Sequence, residues 1–135
     1  MGRLLAIDYG ARRVGLALSD PLKMIASPYR TIINKGNSNL IVEIERIIAA
    51  EDVEQTIIGL PLGMAGQKTE QTRKVEEFVD KLTDRGIIIK YEDERWSSVA
   101  AKRSIKEQNI KSGHNKNLVD QTAAAIFLQQ YLDRH

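Results

Sequence analysis

The spacing of the apolar residues changes once along this chain, and that change sets what it can fold into. Residues 3–8, Arg-Leu-Leu-Ala-Ile-Asp, form an apolar run too short for a helix and suited to a strand buried on both faces. Tyr9-Gly10-Ala11-Arg12 supplies turn chemistry, with Gly10 free to take a positive φ, and Arg13-Val14-Gly15-Leu16-Ala17-Leu18 is a second strand, so the two form a hairpin. A third strand is expected within 23–34, after Pro21, and Pro28 inside it suits an edge strand or a bulge. Beyond it the period becomes helical: Leu40, Ile41, Ile44, Ile47 and Ile48 share one face, with Ser38 or Asn39 as N-cap. A short buried strand follows at 56–60. An amphipathic helix is expected over 69–85, with Thr69 capping it, Val75, Phe78, Val79 and Leu82 on its apolar face, and Gly86 stopping it. The next strand covers 87–91, a helix runs from about Ser97 to Gln108, and a polar loop leads to a closing helix over 118–132. The order is β-β-β-α-β-α-β-α-α. Strands joined by helices run parallel and hairpin strands antiparallel, so one mixed sheet flanked by helices is expected. With no internal repeat or low-complexity linker, residues 1–135 read as one α/β domain.

Composition removes several chemistries. The chain has no cysteine, which excludes disulfides, thiolate metal sites and cysteine nucleophiles. Its two histidines, His114 and His135, cannot build a multi-histidine zinc site. A catalytic metal would rest on carboxylates, which favours Mg²⁺ or Mn²⁺. At 42% apolar and 28% charged, with no long apolar run and no signal peptide in its first residues, the chain is expected to be soluble and cytoplasmic, without a membrane partner. The net charge of +2 says little, but its distribution says more. Lys102, Arg103, Lys106, Lys111 and Lys116 cluster, with Glu107 the only acid among them. They form either a solvated helix face and loop or a phosphate-binding stretch.

Three acidic positions stand at the ends of elements. Asp8 closes the first strand on the face of Leu4 and Ala6. It is a turn-initiating Asp or a functional carboxylate at the strand end, where ligands gather in α/β sheets. Glu92-Asp93-Glu94 closes the last strand in the same way, either as a solvated cluster or as part of a defined strand-to-helix corner with Arg95, Ser97 and Ser98. Asp120 falls in register with Ala124, Phe127 and Tyr131 on the apolar face of the closing helix, where an unpaired carboxylate is costly. Its alternative reading is an N3 acid behind an Asn117 N-cap. Together Asp8, Glu94 and Asp120 could supply the hard oxygens that two divalent ions about 4 Å apart require for phosphodiester chemistry, with Lys116 one turn before Asp120 meeting phosphate charge. The loop Gly63-Met-Ala-Gly66-Gln67-Lys68-Thr69 lacks the spacing of a nucleotide-binding P-loop and reads as a turn.

Asp8-Tyr-Gly-Ala-Arg-Arg-Val-Gly-Leu-Ala17 with Ser19-Asp20, Gly59-Leu-Pro61, Asp93-Glu-Arg95 and Lys116-x-x-Val-Asp120-x-x-Ala-Ala resemble the YqgF/RuvX family of RuvC-like nucleases over about residues 3–133. The resemblance implies an RNase H-like fold, a five-stranded mixed sheet whose first three strands are antiparallel. It implies metal-dependent endonuclease activity, with catalytic and metal-ligating roles carried onto Asp8, Glu94 and Asp120, and Glu92 and Asp93 as neighbours that could share the metal role. The expected substrate is structured RNA, in 5′-end maturation of pre-16S rRNA, with association with ribosomal particles. The alternative is Holliday junction resolution on branched DNA. RuvC-type resolvases carry a fourth acid, whereas residues 121–127 hold none, which weakens the resolvase label more than the nuclease label. Nucleic-acid contacts are expected from Arg12, Arg13, Lys102, Arg103, Lys106, Lys111 and Lys116. Two other classes compete. A non-catalytic nucleic-acid-binding module would keep the basic stretch without converging acids, and an actin-like phosphotransferase would need a second such domain.

Overall fold

The computed structural model describes residues 2–93 and 116–135. Five strands, β1 (Arg3–Tyr9), β2 (Arg13–Ser19), β3 (Ala26–Ile33), β4 (Val53–Leu60) and β5 (Ile89–Asp93), form one sheet in the order β3-β2-β1-β4-β5. β1–β2 and β2–β3 are antiparallel, while β1–β4 and β4–β5 are parallel, as the hairpin-then-crossover reading requires. β3 is an edge strand, and its register with β2 shifts between Leu16 and Ala17, opposite Arg30 and Pro28. The proline thus sits at both an edge and a bulge, where its missing N–H costs no ladder bond.

Three helices cover the sheet among the described residues: α1 (Asn37–Ala50), α2 (Glu70–Asp84) and α3 (Lys116–Arg134). Alternation along the strands divides the core. Leu5, Ile7, Val14, Leu16 and Ile58 point to α1 and α2, where they meet Leu40, Ile44, Val75, Phe78 and Leu82. Leu4, Ala6, Ala17 and Ile57 point to α3, where they meet Ala124, Phe127, Leu128 and Tyr131. α2 is capped by Thr69, whose Oγ1 accepts from the Thr72 backbone N–H, and the chain turns out of it at Gly86 with φ 82°.

Several boundaries differ from the sequence expectation, and β4 begins at Val53 rather than 56 while α3 runs on to Arg134. α1 begins at Asn37, with Gly36 (φ 115°) as N-cap and no capping side chain, so Ser38 and Asn39 lie inside the helix. β5 begins at Ile89 rather than 87, because Ile87 N–H still bonds the Leu82 carbonyl in the turn that closes α2. Asn117 is helical in α3 and therefore not its N-cap. The expected helix over 97–108 lies outside the described residues.

Candidate metal and nucleic-acid site

Asp8 belongs to the end of β1 and shares the parity of Leu4 and Ala6, so it occupies the α3 face of the sheet. Its Cα partner across the hairpin is Gly15. Gly15 has no side chain because α3 crosses there. A Cβ at this position would lie 2.2 Å from the Asp120 carbonyl oxygen and 2.5 Å from its carbonyl carbon. The glycine therefore brings the helix backbone down onto β2 next to the residue paired with Asp8. The start of α3 is held against the sheet by its own buried face, with Val119, Ala123 and Ala124 all within the core.

Asp120 is 15% exposed, and its Oδ2 accepts a hydrogen bond of 2.6 Å from Arg13 Nε. Arg13 has the parity of Gly15 and Ala17, so its guanidinium reaches the same face. The costly half-buried carboxylate foreseen on the apolar side of this helix is thus compensated by an ion pair 107 residues away in sequence. At the next residue, Gln121 Oε1 accepts from Thr31 Oγ1 of β3, which fixes the helix over the hairpin. On the other flank, Gln71 Nε2 of α2 donates to the Tyr9 carbonyl, and Tyr9 Oη donates to Asn37 Oδ1.

The acids that close β5 are separated by strand alternation. Glu92, opposite Gly59, ion-pairs with Arg134 of α3. Asp93 is opposite Leu60, a residue packed on the α1–α2 side. Tyr91, two residues before Asp93 on the same face, also faces α2, where burial and then the Glu76 and Asp80 carboxylates push its hydroxyl pKa up. Glu94 lies outside the described residues, as do Lys102, Arg103, Lys106 and Lys111. Lys116 begins α3, one turn before Asp120 in the chain. Arg12 is exposed in the β1–β2 turn. The structure thus brings together Asp8, Arg13 and Asp120. Among the described residues no group of three metal-ligating side chains forms. The glycine loop is a turn, with Gly63 N–H bonded to the Gln67 carbonyl and Gly66 N–H to the Gly63 carbonyl.

Two contributors were not singled out in the sequence. Gly15 sets the height of α3, and its signal was a glycine in the middle of a strand otherwise built of bulky apolar residues, which marks close backbone approach. The Arg13–Asp120 pair carried no local signal, since neither residue predicts the other.

Sheet order, strand directions and helix placement are those of the RNase H-like fold. The T. thermophilus RuvC chain solved in complex with a Holliday junction substrate superposes with a TM-score of 0.63 at 14% identity, over 99% of this chain and 95% of that one. The chain belongs to the RuvX family, described as Holliday junction resolvase, whose model matches residues 2–134. It is 39% identical over 135 residues to a Ruminiclostridium cellulolyticum protein named "Putative pre-16S rRNA nuclease", covering 98% of this chain and 94% of the relative. A Roseiflexus protein of the same name is 41% identical over 133 residues, with the same coverage. Among the described residues no helix is long and apolar enough to cross a membrane.

Proposed function

We propose that residues 1–135 act as one nuclease domain, a divalent-metal-dependent endonuclease that hydrolyses phosphodiester bonds in the 5′-end maturation of pre-16S rRNA in the cytoplasm. The observation that carries this reading is the crossing at Gly15, where Asp120 of α3 comes down beside the strand residue paired with Asp8. Two carboxylates at the carboxyl end of a central strand, on one face of the sheet, are a hard-oxygen donor set suited to Mg²⁺ or Mn²⁺. Asp8, Glu94 and Asp120 would hold the ions. Asp93 has the opposite parity and Glu92 is engaged by Arg134, which supports Glu94 as the third ligand. When bound, two such ions neutralise phosphate charge and make a water oxygen nucleophilic at neutral pH. The residues of the chain do the positioning. Arg13 fixes the orientation of the Asp120 carboxylate through Oδ2, the buried face of α3 holds its backbone in place, and Lys116 and Arg12 supply positive charge for flanking phosphates.

The relatives' name favours precursor rRNA over branched DNA. The test is cleavage of a precursor small-subunit rRNA fragment beside a four-way DNA junction, with added Mg²⁺ or Mn²⁺, by wild type and Asp8→Asn. The expected result is RNA cleavage by wild type only. Cleavage by Asp8→Asn at the wild-type rate would remove the metal assignment, and cleavage of the junction alone would replace RNA maturation by resolution. Salt-sensitive binding of both with cleavage of neither would make the chain a binding module.

A further inference from the structure

The β1–β2 turn after Asp8 and the β3–α1 connection are laced together by one residue. Asn34 N–H donates to the Arg12 carbonyl at 2.8 Å, Asn34 Nδ2 donates to the Gly10 carbonyl at 3.0 Å, and Asn34 Oδ1 accepts from Gly36 N–H at 3.1 Å. These bonds extend the β2–β3 ladder one step past its last pair, Arg13 with Ile33, so Arg12 lies beside Asn34 and Lys35 follows it directly. Arg12 and Lys35 are both exposed, and neither forms an ion pair with a described residue. The nearby acid on α1, Glu43, is already taken up by Arg30 and Arg46. Two uncommitted cations thus stand on adjacent, mutually fastened chain segments, a few residues beyond the strand end that carries Asp8.

An uncompensated cation pair on a pre-ordered rim attracts a polyanion through counterion release, and fixed backbone lowers the ordering cost of the contact. We propose that Lys35 and Arg12 form a phosphate cleat, which grips the nucleic-acid backbone beside the cleavage point, with Asn34 as the positioning residue that holds the two cations in register. This rests on the nuclease reading and adds a substrate contact, Lys35, beside Arg12.

The experiment is binding of a fluorescent RNA hairpin in EDTA, so that strands stay intact, by wild type and by Lys35→Gln, Arg12→Gln, the double variant, Lys35→Arg and Asn34→Ala. Lys81→Gln, an exposed lysine in the last turn of α2, serves as the control. Each cation contributes about 0.7–0.9 to the slope of log affinity against log salt. We expect each single Gln variant to lose about that much slope, the double variant about twice as much, and Lys35→Arg and Lys81→Gln to keep the wild-type slope. Asn34→Ala is expected to weaken binding while leaving the slope, because both charges remain. Unchanged slopes in the Lys35→Gln and Arg12→Gln variants, with wild type binding normally, would overturn the cleat and leave the nuclease reading standing. Wild type that binds no RNA would overturn both.

Discussion

Replacing Gly15 by alanine tests whether the approach of α3 to β2 builds the site. The added methyl would sit 2.2 Å from the Asp120 carbonyl oxygen and 3.0 Å from Gln121 N, where ordinary contact begins at 3.4 Å. The atoms in the way are helix backbone, so no side-chain rotation relieves the clash, and the start of α3 has to lift by about 1 Å. Overpacking of this kind costs about 1–3 kcal/mol. Because the helix behind Asp120 is anchored by Ala123, Ala124 and Leu128, the upper half of that range is expected. For a chain of this size that lowers the melting temperature by roughly 6–12 °C. A displacement near 1 Å of a group that positions reacting atoms costs about 10²-fold in rate. The comparison is Gly86→Ala, at φ 82° with nothing within 4 Å, where the loss is conformational strain of about 1–2 kcal/mol far from Asp8. Thermal unfolding followed by circular dichroism, together with single-turnover cleavage at a temperature where both variants are folded, separates the two. Both should melt early, and only Gly15→Ala should lose cleavage. Equal activity in the two variants would show that the close crossing serves packing alone, and a wild-type melting temperature in Gly15→Ala would refute the steric argument itself.

Arg13→Gln removes the partner of a carboxylate that is 15% exposed; a loss of about 1–2 kcal/mol in urea unfolding is expected, discounted for the partial solvation of the pair, with cleavage reduced more than stability. Ser19 is buried, and its Oγ accepts from Leu4 N–H at 2.8 Å, so Ser19→Ala should cost about 1–3 kcal/mol by leaving that donor unsatisfied, measured by the same unfolding with cleavage intact. The Asp20 pKa is held below 3.8 first by the backbone N–H of Ile25 and then by that of Met24. A depressed folded pKa stabilises above the unfolded value and is lost as pH falls through the folded one. The stability gap between wild type and Asp20→Ala should therefore be full at neutral pH and close as the pH falls through the lowered folded pKa, and a gap constant through that acid range would show that the carboxylate charge is not what the loop uses.

How much of this was legible in the sequence follows from what each feature depends on. The hairpin, the edge strand with its proline and the α2 cap were readable because period-two runs, a fixed φ and a Thr-to-Thr capping contact are local properties. The start of α1 was misplaced because its N-cap is a glycine at φ 115° that uses no side chain, so the usual polar signature sat two or three residues too late, at Ser38 and Asn39. β5 was placed two residues early because Ile87 and Ile88 look like strand. Ile87 instead closes the α2 turn, and Ile88 is 82% exposed, an apolar residue the core does not use. The carboxylates were found as strand-end and helix-face exceptions, yet what joins Asp8 to Asp120 could not be. That link runs through the absence of a side chain at Gly15: a mid-strand glycine marks a close backbone approach, but not which backbone approaches. With no Cβ at Gly15, two backbones approach closely enough that Asp120 has one height above the sheet, and Arg13, two residues earlier on the same strand face, takes hold of its carboxylate. A strand glycine and a strand arginine at i and i−2, beneath a helix whose apolar face carries one acid, are therefore parts of a single device, in which close packing sets the position of the acid and the ion pair sets its orientation.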